Sequence, residues 1–186
     1  LQHALALTEM YQSLKHHPSI IAWSLANEPL VTAPESRPYF TPLFALMRSF
    51  DQSRAVTFVN GDLALPPQNY MSDLGDISCI NRYFGWYQQT GQIDKIEEMV
   101  FDNIVSFSLA YPDKPIIVTE YGAEAIAGLH NDQDQIFSEE YQYEVLAKTH
   151  QAFDVVIANQ SAPLVGELVW NYCDFSARPR DLTRVN

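Results

Sequence analysis

Ile20-Ile21-Ala22-Trp23-Ser24-Leu25-Ala26-Asn27-Glu28-Pro29 is an apolar run that stops on an amide, a carboxylate and a proline. The apolar part, Ile20 to Ala26, is too short for a typical helix and is entered through Pro18; it predicts a strand buried on both faces, as in a parallel sheet. Pro29 has no N–H to give to a ladder, so the strand ends at Glu28. Polar groups thus arrive only at the strand's C-terminal end. From this stretch alone Glu28 has two readings, a site carboxylate or a carboxylate that merely begins a loop.

The same design recurs along the chain. Residues 1 to 16 place Leu5, Leu7, Met10, Tyr11 and Leu14 near helical spacing, and His16-His17-Pro18 closes that helix. The two histidines are adjacent and cannot share a helix face, so they read as a polar terminus and not as a metal pair. Tyr39 to Asp51 is amphipathic through Phe40, Leu43, Phe44, Met47 and Phe50. Ala55 to Asn60 is β-branched and aromatic, ends on a polar residue and meets a Gly61-Asp62 turn. Asp76 to Asn81 predicts a third short strand. Ile93 to Tyr111 is helical up to Pro112, and Ile116 to Thr119 is a fourth strand that ends on Glu120. A second long helix lies within Asp132 to Asn159, opening near Ser138 with Glu139 and Glu140 in its first turn, where the helix dipole favours carboxylates. Leu164 to Trp170 is the fifth strand; Glu167 interrupts it and needs a partner if buried.

Strands alternating with helices or loops, each ending in polar or aromatic groups, describe a parallel α/β fold. A dinucleotide fold would need a glycine-rich first turn, and no G-x-G-x-x-G occurs. The expectation is therefore a partial TIM (β/α)8 barrel. Eight strands close such a barrel and five are visible, so residues 1–186 are expected to be the C-terminal part of the barrel domain, carrying about the fourth to the eighth strands. Apolar surface is expected where the first three belong. Catalytic side chains of these barrels gather at the C-terminal strand ends, which would bring Glu28 and Glu120 to one mouth.

Composition narrows the function. The formal net charge is −12 with only 11 Lys and Arg, which argues against a nucleic-acid-binding surface. No apolar run approaches the roughly 20 residues of a membrane span. Cys79 and Cys173 each follow or lie in apolar runs and are expected to be buried free thiols, not a disulfide. The absence of an initiator Met and a start inside a helical pattern lead to the expectation of a fragment.

Paired carboxylates at one mouth suit glycoside hydrolysis, one as a protonated acid and the other as an ionised nucleophile or base. The exit of the third strand, Arg82-Tyr83-Phe84-Gly85-Trp86-Tyr87, is dense in rings; it reads either as a sugar-stacking platform or as an aromatic cluster packed under a loop. Arg178, Arg180 and Arg184 concentrate charge in the tail, which is either a solvated loop or an anion clamp.

Four segments, Trp23-Ser24-Leu25-Ala26-Asn27-Glu28-Pro29, Asn81-Arg82-Tyr83-Phe84-Gly85-Trp86-Tyr87, Thr119-Glu120-Tyr121-Gly122-Ala123-Glu124 and Gly166-Glu167-Leu168-Val169-Trp170-Asn171, resemble the catalytic-domain signatures of the β-glucuronidases of glycoside hydrolase family 2. Ala127-Gly128-Leu129-His130 and Ser138-Glu139-Glu140-Tyr141-Gln142 extend the resemblance along nearly the whole chain. It implies a retaining hydrolase of β-D-glucuronides that uses no cofactor or metal, with Glu28 as general acid/base and Glu120 as nucleophile. Asn27 is then expected on the sugar 2-hydroxyl, Tyr83 on the nucleophile, and Tyr87 and Trp170 along the sugar subsite. Arg184, in the Arg184-Val185 pair, matches the segment that pairs with the substrate carboxylate. The family's N-terminal β-sandwich domains and first barrel strands are expected to be missing. The resemblance further implies a homo-oligomeric enzyme, cytoplasmic in bacteria or lysosomal in animals. A family 2 β-galactosidase or other β-glycosidase, or a non-catalytic carbohydrate-binding barrel, are the alternative readings.

Overall fold

The computed structural model describes residues 2–61, 65–131 and 135–174. Five parallel strands, β1 (Ala22–Asn27), β2 (Ala55–Asn60), β3 (Ser78–Asn81), β4 (Ile116–Glu120) and β5 (Leu164–Glu167), form one open sheet in the order of the chain. Helix α1 (Gln2–Leu14) precedes β1, and α2 (Ser36–Phe50), α3 (Ile96–Ala110) and α4 (Glu139–Ala158) follow β1, β3 and β4; between β2 and β3 the described residues form only 3₁₀ helices and irregular segments.

Two apolar cores lie between strands and helices. Leu7 of α1 and Phe40, Phe44 and Met47 of α2 meet Trp23, Leu25, Val56 and Phe58 of β1 and β2. The helical spacing of the α2 residues gives them one shared stripe. On the other half, Ile104 and Phe107 of α3 and Val145 and Phe153 of α4 meet Ile80 and Val118 of β3 and β4. At the N-terminal side of β1, Trp23 Nε1 donates to the buried Asp51 at 2.9 Å. Asp51 also accepts from Ser53 and Arg54. Hydrogen bonds from Ser53, then Trp23, hold its carboxyl well below the usual range.

Helix α4 opens as expected: Ser138 caps it, its Oγ accepting from the Tyr141 N–H at 3.1 Å. Its first-turn acids do more than answer the dipole. Glu139 accepts from the Gly128 N–H at 2.7 Å, and Glu140 accepts from the Asn131 N–H at 3.1 Å and bonds His130 at 2.8 Å. The 127–130 and 138–142 segments are thereby joined.

Three expectations need correction. Strand β1 starts at Ala22, leaving Ile21 76% exposed, and only Trp23 and Leu25 of it are buried. Trp23 and Leu25 pack on the helices on one face of the strand, while Ser24, on the other face, is exposed, so the strand is not buried on both faces. Strand β5 ends at Glu167, three residues short of Trp170. Glu167 is half-exposed and accepts from the Tyr121 hydroxyl at 3.0 Å, so a buried carboxylate does not arise there. Cys173 is exposed because it lies beyond the shortened strand, whereas Cys79 is buried as expected. Val165 and Leu168 stand exposed at the β5 edge, as expected of a barrel sheet left open. No helix among the described residues is long and apolar enough to cross a membrane.

Candidate active site

Because all the strands run the same way, their C-terminal ends and following loops lie along one end of the sheet. The register slips between Ser24 and Asn27 of β1 and between Ile80 and Asn81 where β3 meets β4. Such irregularities re-aim side chains, and here they act on the residues that end the strands. Glu28 follows with φ of +48°, in the left-handed region, and its N–H donates to the Val59 carbonyl at 2.9 Å. Its side chain lies on Gly61, where a Cβ would stand 3.2 Å from Glu28 Cβ, Cγ and Cδ. The carboxylate therefore leaves the end of β1 in an uncommon backbone conformation, held by β2 and supported by a glycine.

Asn81, fully buried at the end of β3, links the two carboxylate-bearing strands. Its Nδ2 donates to Glu28 Oε1 at 2.9 Å and to Asn27 Oδ1 at 3.2 Å, while its Oδ1 accepts from the Thr119 hydroxyl of β4 at 2.7 Å. The Tyr83 hydroxyl donates to Glu120 Oε2 at 2.6 Å. Burial raises the Glu120 pKa and the Glu28 charge adds to the rise, while hydrogen bonds from Tyr83 and Asn81 oppose it. Tyr83 is itself raised far above the ordinary phenol value, first by burial and then by its bond to Glu120, so it remains a proton-bearing donor. Beneath them the buried Arg82 donates to the Gly61 carbonyl at 2.7 Å and to Asn103 Oδ1 at 2.8 Å, and its backbone N–H reaches the Glu120 carbonyl at 2.8 Å.

Burial divides the aromatic run. Tyr83, Phe84 and Trp86 are buried, whereas Tyr87 is 51% exposed and packs its ring on Tyr83 with centroids 5.0 Å apart. The loop is fastened to α4 through Tyr141, whose hydroxyl accepts from the Gly91 N–H at 2.8 Å and donates to the Gly85 carbonyl. Tyr83, Tyr87, Gly122, Trp170, Asn171 and Asp174 line part of a cleft of about 240 Å³. Gly122 has φ of +149°, and a Cβ there would stand 2.7 Å from the Trp170 carbonyl oxygen. The Trp170 N–H donates to the Tyr121 carbonyl at 3.0 Å, so the ring is carried next to the segment that follows Glu120.

The structure thus brings together Asn27, Glu28, Tyr83, Tyr87, Glu120 and Trp170. Arg184 lies outside the described residues, as do Arg178 and Arg180. Sequence reasoning gave no site role to Asn81, Thr119 or Gly122 and marked Gly61 only as part of a turn. Asn81 carried a signal, since it ends a strand as Glu28 and Glu120 do; Thr119 carried none, being one polar residue in an apolar strand.

The sequence model of the family described as "Glycosyl hydrolases family 2, TIM barrel domain" matches residues 1–185. The chain is 38% identical over 174 residues to a β-glucuronidase of Streptococcus agalactiae, covering 93% of this chain and 28% of that protein. The solved β-D-glucuronidase of Dictyoglomus thermophilum superimposes with a TM-score of 0.90 at 33% identity, covering 98% of this chain and 30% of that one. The Ruminococcus gnavus β-glucuronidase in complex with D-glucuronic acid gives a TM-score of 0.88 at 35% identity, over 98% and 31% of the two chains. The chain spans less than a third of the length of each of these proteins. A matching family sequence over nearly every residue and an open parallel sheet with two glutamates at its strand ends together place the chain in glycosyl hydrolase family 2, in its TIM barrel domain.

Proposed function

We propose that this chain is the C-terminal part of the catalytic barrel of a retaining β-glucuronidase, contributing the fourth to the eighth strands. The observation that carries the reading is the Asn81 amide set between the Glu28 and Glu120 strands, with the Tyr83 phenol on Glu120. Glu120, oriented by Tyr83, attacks the anomeric carbon while Glu28 protonates the leaving oxygen; Glu28 then takes a proton from the water that breaks the glycosyl-enzyme bond. Asn27 meets the sugar 2-hydroxyl, and Tyr87 and Trp170 offer ring faces to the sugar. Arg184 pairs with the substrate carboxylate, for which its planar guanidinium is suited. The named relatives are all β-glucuronidases, and one of them holds D-glucuronic acid, which supports the uronic acid over a neutral sugar. Two carboxylates suffice for this chemistry without a cofactor. The whole enzyme is proposed to be a homo-oligomer, in the cytoplasm of a bacterium or the lysosome of an animal.

The test is Glu120→Ala in the whole enzyme, followed by steady-state kinetics and calorimetric titration with a glucuronide. Turnover is expected to vanish while sugar binding persists, because the covalent step is lost and the subsite contacts remain. Wild-type turnover in the variant overturns the assignment of the nucleophile. In the parent enzyme, a neutral β-galactoside hydrolysed as well as the glucuronide overturns the substrate class.

A further inference from the structure

We propose that Thr119 is a positioning residue: by fixing the direction of the Asn81 amide, its hydroxyl keeps the acid proton of Glu28 on Oε2. The inference rests on the reading of Glu28 as general acid.

A primary amide has two ends of opposite character, an acceptor oxygen and a donor NH₂, and rotating it by half a turn exchanges them. Asn81 is fully buried, so water does not share its bonds. Its oxygen accepts from Thr119 Oγ1 at 2.7 Å, and its nitrogen donates to Glu28 Oε1 at 2.9 Å and Asn27 Oδ1 at 3.2 Å and also lies against the Glu120 carboxylate. While Glu28 is ionised, its carboxylate attracts the NH₂ whether or not Thr119 holds the other end. The general acid, however, is the protonated form.

A protonated Glu28 carries one O–H donor, and an unrestrained Asn81 would gain by turning its oxygen to receive it. The acid proton would then sit on Oε1 in a bond with an amide, withheld from the leaving group. With the Asn81 oxygen held by Thr119, its NH₂ stays on Oε1 in both protonation states, and the proton is confined to Oε2. Turning the amide would also set its oxygen against Asn27 Oδ1 and the Glu120 carboxylate, and would force the Thr119 hydroxyl to accept from the NH₂ and find another acceptor for its own hydrogen. The hydroxyl thus acts through Asn81 and touches neither substrate nor catalytic carboxylate in this network. Valine, which has the same shape without the hydroxyl, removes the restraint alone.

The test uses the whole enzyme and two glucuronides that differ in leaving group, phenyl and 2,4-dinitrophenyl. Phenoxide needs protonation as it departs; dinitrophenoxide does not. Thr119→Val is expected to lower kcat/KM for the phenyl glucuronide roughly 10- to 100-fold and for the dinitrophenyl glucuronide less than about threefold. Thr119→Ser, which restores the hydroxyl, is expected to stay within about threefold of the parent on both. Equal losses on the two aglycones, or a serine variant as impaired as the valine one, overturn the proposal, since a packing defect would not depend on the leaving group. If the valine variant fails to fold, Thr119→Ala is read in the same way. Wild-type hydrolysis of the phenyl glucuronide tests the glucuronidase reading by itself. The leaving-group ratio can be taken on whichever β-glycoside the wild type hydrolyses, so the two ideas fail separately.

Discussion

Replacing Tyr83 by Phe removes one hydroxyl and keeps the ring. The hydroxyl lies 2.6 Å from Glu120 Oε2, within the range of a charge-assisted O–H···O⁻ bond. Bonds to charged groups are worth about 1.5–3 kcal/mol, so the expected loss in kcat/KM is roughly 10- to 150-fold at the pH optimum. The loss also has a pH signature. Burial already raises the Glu120 pKa, and the Tyr83 bond works against that rise. Without it the pKa climbs further, and because the nucleophile must be ionised, the acidic limb of the kcat/KM profile moves to higher pH. The assay is a pH series of kcat/KM with an activated aryl glucuronide, so that glycosylation depends little on the acid. A uniform loss at every pH, with the acidic limb unmoved, would refute the idea that Tyr83 acts through the charge of Glu120. An unchanged rate would show that the phenol does nothing for the nucleophile.

Glu28→Ala is expected to be graded by leaving group, severe for alkyl glucuronides and milder in glycosylation for nitrophenyl ones, with azide restoring deglycosylation as a β-glycosyl azide; equal losses without azide product would remove Glu28 from the acid/base role. Glu120→Gln is expected to raise the melting temperature at neutral pH. A carboxyl whose folded pKa is raised favours folding below its unfolded pKa and loses that contribution as pH rises through the folded value, so the gain should shrink toward acid pH; an equal gain at all pH values contradicts this. Gly122→Ala places a Cβ 2.7 Å from the Trp170 carbonyl at a backbone angle that favours glycine, so a destabilisation of about 1–3 kcal/mol and a raised KM are expected. A melting curve and KM that both match the parent would show that the segment simply shifts aside. Arg184→Ala should lower the glucuronide-to-glucoside ratio of kcat/KM by roughly 10- to 150-fold, the value of one charge-assisted bond; an unchanged ratio leaves Arg184 as a solvated residue.

The alternation of strands and helices was legible because each strand is a short apolar run ending on a polar residue. Residues 55–60 form the strand drawn from their β-branched pattern. The same rule found Glu28 and Glu120, since a carboxylate that closes an apolar strand is conspicuous in sequence. What escaped was whatever depends on a neighbouring strand. The register slips at Asn27 and Asn81 arise from pairing, and no local pattern marks them. Thr119 looks like an ordinary β-branched residue until Asn81 is set beside it. The fifth strand is shorter than its apolar run suggests: Leu168, Val169 and Trp170 are as apolar as the strand itself, yet they lie beyond its end and are exposed. Cys173 was misplaced for the same reason.

The two hydrogen bonds of Tyr141 to the ends of the aromatic loop bear on the thermodynamics of the proposed sugar binding. A ring on a free loop must be immobilised when a ligand arrives, and each ordered residue costs about 1–2 kcal/mol of backbone entropy. Here the Gly85 carbonyl and the Gly91 N–H both bond the Tyr141 hydroxyl, so the segment carrying Tyr87 is closed into a ring anchored on α4 before any ligand is present. Most of that ordering is done during folding. Tyr141→Phe should therefore leave the stacking surface in place but make its use more costly, giving weaker binding through a more unfavourable entropy at nearly unchanged enthalpy.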